Sequence, residues 1–445
     1  FIFQLMHLLG LFSFWIAFTK LRTLFSVLGF SNKTMKGKCN VWILVSFNVL
    51  LTIGSLISFM LVFSWIYSYA FSTHSSVIRS YEINANTSSS HLHVQSYVKA
   101  LNFNVSRDAC NVFDGSWVRD DSYSYPLYDA DACPFAERGF NCFANGRKDR
   151  DYTKWRWKPN NCDIPRFDAR RMLEQLRGKR VVFVGDSLSR TQWESLVCLL
   201  MTGVEDKTSV YEIKGNKITR QIRFLGVRFS SFDVRIDFYR SVFLVKPGRG
   251  PRFAPKRVKT TLKLDKIDDI SHEWVDSDVL IFNSGHWWTR TKLFSMGWYF
   301  QVGSSLKLGM PINSAFKTAL HTWASWVENN INTNRTRVFF RTFESTHWSG
   351  HNRKACEVTK KPWKRTNGKD RNPISDMIKS VVKNMNVPAT VLHVTPMDAY
   401  RSDGHVGIWS ENPSIPDCSH WCLPGVPDMW NEILFSYLLQ KDGAG

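Results

Sequence analysis

Residues 181–200 require a strand that stops abruptly and hands over to a helix, and this constrains the fold more than any other stretch. Val181-Val-Phe-Val184 is a continuous apolar run rich in β-branched residues, which suits a strand buried on both faces. Gly185 breaks it. From Ser189 to Leu200 apolar residues recur at Trp193, Leu196, Val197 and Leu200, the spacing of a helix with one buried face. Ser187 therefore falls on the strand-to-helix turn, at the carboxyl edge of a sheet, where backbone N–H groups of the first helical turn can meet a developing oxyanion. A serine so placed suits acyl transfer. Asp186 or Ser187 could equally be a plain helix cap, so the assignment needs a histidine and an acid elsewhere in the chain.

The rest of the body repeats the same alternation. Phe167–Leu176 has helical spacing and is stopped by Gly178; Lys217–Val245 alternates apolar and polar residues through Ile222, Phe224, Val227, Phe229, Val234, Ile236 and Phe238, as strands do. Val279-Leu-Ile-Phe282 is a second short buried strand, followed by Asn283-Ser-Gly-His-Trp-Trp288. A helix at Phe316–Asn329, a strand at Arg337–Phe343, a helix at Ile374–Met385, a strand at Thr390–Val394 and a helix at Pro427–Leu439 complete the series. The expected class is α/β, a mainly parallel sheet with helices on both faces. Sites in such sheets collect at the carboxyl ends of strands, where Ser187, Asn283 and His347 all fall.

Residues 39–78 contain no Asp, Glu, Lys or Arg, and the run 41–71 exceeds the roughly 20 residues that a membrane-spanning helix needs. Lys33, Lys36 and Lys38 precede it, so the positive-inside rule places the N-terminal side in the cytosol and the body in the lumen. The expected organisation is a cytosolic or extraneous segment at 1–40, an anchor at 41–71 and a Ser/Thr/Asn-rich stem at 72–107. A cysteine- and aromatic-rich module follows at 108–166, and a catalytic domain at 167–441. A start at Met35 would leave a plain single-pass type II protein. Eight cysteines in the body, an even set, read as disulfides in an oxidising compartment, and sequons at Asn86, Asn104 and Asn334 fall on the same side. The net charge of +20 is spread through aromatic-rich sequence with no zinc-finger or RNA-binding signature, which argues against nucleic acid and favours an acidic polysaccharide or simple solubility.

Near the C-terminus stands Asp417-Cys-Ser-His-Trp-Cys422. Asp417 and His420 are three apart, so on one turn the carboxylate can orient the ring while its other nitrogen reaches a serine. Cys418, His420 and Cys422 could instead ligate a metal, but no fourth ligand is evident and none is expected.

Gly185-Asp-Ser187 after a strand, an Asn after a later strand and Asp417-x-x-His420 near the C-terminus resemble the GDSL/SGNH hydrolases. The longer runs Cys110-Asn-Val-Phe-Asp-Gly-Ser-Trp117, Asp151-Tyr-Thr-Lys-Trp-Arg-Trp157, Asp237-Phe-Tyr-Arg-Ser241, Asn283–Trp288 and Asp417–Asp428 resemble the plant trichome-birefringence-like polysaccharide O-acetyltransferases. That resemblance implies an SGNH-like catalytic domain in which Ser187 is the nucleophile, His420 the general base and acid, and Asp417 its orienting partner. It implies oxyanion or cleft roles for Gly185, Asp186, Asn283, Arg190, Arg240, His286, Asp403 and His405. It further implies disulfides Cys110–Cys162, Cys133–Cys198, Cys142–Cys422 and Cys356–Cys418. Where many members carry Ser-Pro after Arg-Thr-Phe, this chain has Glu344-Ser345. The implied protein is a single-pass type II Golgi enzyme that moves acetyl from acetyl-CoA or a derived luminal donor, with no bound cofactor, to xylan, pectin, mannan or xyloglucan. An acetylesterase using the same triad, and a non-catalytic wall-polymer binder, are the rival readings.

Overall fold

The computed structural model describes residues 110–121, 126–219, 222–350 and 355–440. The expected anchor and stem, and the sequons at Asn86 and Asn104, lie outside the described residues. Among the described residues no helix is long and apolar enough to cross a membrane.

The described chain opens with β1 (Gly115–Arg119) and β2 (Trp155–Pro159), which pair antiparallel with Trp117 opposite Trp157. Then come α1 (Ala169–Gln175), β3 (Arg180–Gly185), α2 (Ser187–Met201), β4 (Val210–Glu212), β5 (Phe224–Phe229) and β6 (Val234–Arg240). A middle segment holds β7 (Val245–Gly248), β8 (Thr260–Ile267), β9 (Val279–Asn283), β10 (Trp298–Val302), β11 (Ser305–Lys307) and α3 (Ile312–Asn330). The last part runs through β12 (Arg337–Arg341), β13 (Trp348–Ser349), β14 (Ala355–Cys356), α4 (Pro373–Lys383), β15 (Thr390–Leu392) and α5 (Thr395–Asp398). It ends with β16 (His405–Gly407), β17 (Asp417–Trp421) and α6 (Val426–Leu439).

A seven-stranded sheet of order β15-β12-β9-β3-β6-β5-β4 forms the centre. The five strands from β15 to β6 are parallel, and β5 and β4 extend that edge with antiparallel pairings, so the sheet is mixed and mainly parallel. The continuous apolar runs are explained by this placement. Val181 and Phe183 of β3 and Ile281 of β9 face one core with Trp193, Leu196 and Leu200 of α2 and Ile433 and Leu434 of α6. Val182 and Val184, with Leu280 and Phe282, face a second core with Phe316, Leu320 and Trp323 of α3.

The second face differs from the expectation of helices alone. A four-stranded sheet of order β11-β10-β8-β7 shares it, packing Leu262 and Leu264 of β8 and Phe300 of β10 into the α3 core. Polar residues take buried places in these strands, Thr261 beside Leu262 and Gln301 beside Phe300, and lysines interrupt the alternation, so the pattern in the sequence is weak. The β1–β2 hairpin was likewise hidden inside what read as loops. Disulfides Cys110–Cys162, Cys133–Cys198, Cys142–Cys422 and Cys356–Cys418 are all formed, the second and third tying this module to α2 and to the segment after β17.

Where α6 meets the module, Glu432 is 2% exposed beside Trp117 and Trp155. Burial, helped by the nearby Asp120 carboxylate, pushes its carboxyl up to about 8. The folded chain therefore holds a proton there that the unfolded chain releases near pH 4.5, so this group's stability is present in acid and lost as pH rises toward 8. Glu432→Gln, which keeps the shape without the charge, is expected to gain on the wild type by about 3 kcal/mol between pH 5 and pH 8, read from denaturant unfolding at each pH.

Candidate active site

The turn between β3 and α2 is held by its neighbours. A Cβ on Gly185 would lie 2.0 Å from Asn283 Oδ1 and 2.7 Å from the Asn283 carbonyl oxygen, so only glycine lets the ends of β3 and β9 approach this closely. Asp186 caps α2: its Oδ1 accepts from Leu188 N–H at 2.9 Å and from Asn283 Nδ2 at 3.2 Å, and its own N–H donates to Asn283 Oδ1 at 3.3 Å. Ser187 is left as the first helical residue, its hydroxyl 2.6 Å from His420 Nε2.

His420 arrives from the far end of the chain. Its Nδ1 is 2.6 Å from Asp417 Oδ2, while Asp417 Oδ1 accepts from the N–H groups of Ser419 and His420 at 2.9 and 3.0 Å. Burial alone would raise the Asp417 carboxyl. The His420 ring and these two N–H groups outweigh it and hold the group well below the usual carboxylate range. With Nδ1–H given to an ionised Asp417, Nε2 is an acceptor facing the Ser187 hydroxyl. The pair does not sit on a helical turn, as the i, i+3 spacing suggested. It lies in β17, where His405 opposes Trp421 and Gly407 opposes Asp417, and the bulge between these pairings folds Asp417 back under His420. Phe140 of the N-terminal module packs on the His420 ring at 5.4 Å.

These groups open onto a cleft of about 480 Å³ lined by Ser187, His286, Trp287, Lys292, Trp348 and the loop from Ser410 to Ile415. His286 stacks on Phe343 at 4.0 Å, and its Nε2 lies 3.0 Å from Glu344 Oε2. Glu344 also accepts from Asn283 Nδ2 at 3.3 Å and is salt-bridged to Arg341. Burial would raise its carboxyl, but Arg341 and His286 prevail and keep it below its ordinary value.

Several implied cleft residues lie elsewhere. Gly185, Asp186 and Asn283 are beneath the turn, and both donor hydrogens of the Asn283 amide are committed to Asp186 and Glu344, so it braces the turn without facing the cleft. Arg190 is buried between Glu137 and Glu194, and Asp403 is buried against Arg401 at 2.8 Å. His405 is fully buried, with Nδ1 2.9 Å from the His420 carbonyl oxygen and Nε2 2.7 Å from His347 Nδ1. His347 is therefore a support behind the site and not a member of it. Arg240, at the end of β6, stacks over Trp287 at 5.5 Å. Cys418 and Cys422 are both in disulfides, which removes them as metal ligands, and among the described residues no cluster suits a metal ion.

Comparison with known proteins agrees with this geometry. Residues 164–437 match the GDSL/SGNH-like acyl-esterase family found in Pmr5 and Cas1p, and residues 108–163 match the PMR5 N-terminal domain. Trichome birefringence-like 7 of Arabidopsis thaliana is 56% identical over 398 residues, covering 89% of this chain and 85% of the relative. Trichome birefringence-like 6 is 41% identical, covering 75% and 71%, and trichome birefringence itself is 40% identical, covering 75% and 56%, both from the same plant.

The chain belongs to the trichome-birefringence-like family.

Membership in this family brings the SGNH-like fold and acyl-ester chemistry with it. Sequence reasoning missed the roles of Phe140, Trp348 and Glu344. Phe140 and Trp348 carry no spacing signal, because each meets the site only through the tertiary fold. Glu344 had a signal, its departure from the Ser-Pro of many relatives, and its partners His286, Asn283 and Arg341 supply the structural meaning. Gly185→Ala would force a methyl group into Asn283; we expect a loss of about 1–3 kcal/mol in unfolding free energy and a fall in turnover, read by denaturation and by acetyl-ester hydrolysis.

Proposed function

We propose that this chain transfers acetyl groups to hydroxyls of a plant cell-wall polysaccharide through an acetyl-serine intermediate. The observation that carries this reading is the hydrogen-bonded line Asp417–His420–Ser187 at the N-terminus of α2, opening on a cleft with aromatic walls. In the first step Ser187 Oγ attacks the acetyl carbonyl carbon as its proton passes to His420 Nε2. The bond to the donor's leaving group breaks, and that group departs with the proton. In the second step a sugar hydroxyl attacks the acetyl-serine, its proton goes to His420, and Ser187 Oγ leaves and takes the proton back. First-turn N–H groups of α2, that of Ser187 among them, face the oxyanion in both steps. Asp417 keeps its charge throughout, fixing the ring and stabilising the imidazolium. The donor is acetyl-CoA or a luminal acyl carrier derived from it.

The four disulfides support placement on the luminal side of a Golgi membrane, with 41–71 as the anchor. The acyl-esterase description of the matching family favours one rival, hydrolysis of acetylated polymer by the same groups. Transfer requires that a sugar hydroxyl reach the acetyl-serine before water does, and Trp287 and Trp348 beside the catalytic groups offer flat rings for a sugar face.

The deciding experiment incubates the full chain with an acetyl donor and deacetylated xylan, mannan, xyloglucan and pectin oligosaccharides, following mass. A gain of one acetyl on an acceptor, lost in Ser187→Ala, is the expected result. Free acetate with no acetylated sugar would overturn transfer in favour of hydrolysis. Asp417→Asn is expected to lower turnover by about 10⁴, since the ring loses its orienting charge.

A further inference from the structure

Beside the cleft lies a cationic surface that the catalytic chemistry does not use. Between Asp237 and Asp265 the chain has no acid and eight Lys or Arg residues, and from Val279 to Val327 it again has no acid. The fold brings these two stretches together. β8 and β10 run parallel with Thr260 opposite Trp298, so the hairpin loop 249–259 before β8 and the loop 284–297 before β10 meet at one end of the small sheet. Lys259 N–H donates to the Gly297 carbonyl at 2.8 Å, and a Cβ on Gly297 would touch the Arg257 carbonyl at 2.9 Å.

The same surface is continuous with the cleft. Trp287 and Lys292 line it, with Lys292 Nζ 4.7 Å from the Trp287 ring. Beneath it the buried Phe243 holds Trp287 and Trp298 in place, and the half-buried Phe294 packs on Tyr299, over which Arg257 lies at 6.0 Å. Beyond these rings Arg249, Arg252, Lys256 and Lys259 are exposed, and among the described residues none of the four is in an ion pair; Lys246, by contrast, is held by Asp269. Phe253, 75% exposed at the loop tip, sets a ring among them that can lie on a pyranose face. Glu411, the acid on the cleft wall that pairs with nothing catalytic, belongs to a different element, the Ser410–Ile415 loop.

We propose that the loop 249–259 and Lys292 form an arm that binds an acceptor polysaccharide whose rings carry carboxylates. Fixed cations spaced along an extended surface attract a polyanion over roughly a Debye length and hold successive carboxylates, while the interleaved rings favour sugar over other anions. This deepens the acetyl-transfer reading by naming the acceptor class. The test measures binding alone, so the two can fail separately.

The experiment titrates a labelled oligogalacturonate, and its methyl ester of equal length, against the full chain carrying Ser187→Ala. At about 50 mM salt the free acid is expected to bind at least about tenfold more tightly than the ester, and the preference is expected to fall to about twofold at about 500 mM. Arg249→Gln, Arg252→Gln and Lys256→Gln together are expected to abolish the preference at low salt with the melting temperature retained. Equal binding of acid and ester by the parent overturns the proposal, as does a preference that survives the triple substitution. A single-stranded oligonucleotide of matched charge bound as tightly as the uronate would also overturn it, leaving a surface without selectivity for sugar. If no acceptor is acetylated by the protein with Ser187 intact, but the uronate preference and its loss in the triple variant hold, the arm stands and the transfer reading falls.

Discussion

The position of Ser187 depends on a close approach that a missing side chain permits. Because Gly185 has no Cβ, Asn283 can press into the end of β3, and its amide then grips both the backbone and the carboxylate of Asp186. Asp186 in turn fixes the first turn of α2, and Ser187 is the residue that follows. The bracing continues outward along the sheet. Glu344, just past β12, holds Asn283 and His286, and Arg341 holds Glu344 while donating to Gln192 Oε1 at 3.0 Å. Since Gln192 lies on α2, the network closes on the helix that carries the serine. Three adjacent parallel strands thus each spend their last residues on one turn, which is what a parallel sheet makes available at its carboxyl edge.

The Asp417/His420 half of the site is anchored by different means. Asp417 and His420 lie on a bulged two-stranded hairpin, which by itself is a marginal structure in water. Cys418 and Cys422 flank His420 and are bonded to Cys356 and Cys142, and Leu423 N–H donates to the Phe140 carbonyl at 2.8 Å. Behind the strand, Trp421 stacks on His405 at 3.9 Å, and His405 leans on His347. The module before the catalytic domain is therefore part of the site's scaffold: Phe140 touches the His420 ring, and Cys142 ties down the segment just after it.

This division decides what could be read in advance. The strand-turn-helix at Val181–Leu200, the alternation that follows and the Asp417/His420 spacing are local, and each was legible because neighbouring residues alone determine it. The turn assigned to Asp417 and His420 was wrong in form for the same reason, since a bulge depends on the partner strand β16. Arg190, Asp403 and His405 look like cleft groups as charged residues near motifs, yet each is consumed by a buried partner: Arg190 by Glu137 and His405 by His347, both distant in the chain, and Asp403 by its near neighbour Arg401. For His405 the partner lies 58 residues away, so no window of sequence shows that pairing. The cationic arm was hidden in the same way, because its two acid-free stretches read as scattered charge until β8 and β10 align.

Ser187 is placed chiefly by the ends of a sheet, and His420 by a short hairpin with a disulfide at Cys418 and another just past its end at Cys422. The buried Arg341–Glu344–Asn283 network is costly to desolvate, and such groups are kept where they specify one arrangement more than where they add stability. Here the arrangement specified is the placement of Asp186 and hence of Ser187. The His420 side draws its order from covalent loop closure, whose benefit exists only while thiols stay oxidised. Cys133–Cys198 adds a covalent tie between α2 and the N-terminal module, and Cys142–Cys422 ties the segment after His420 to the same module, so that module braces both halves of the site.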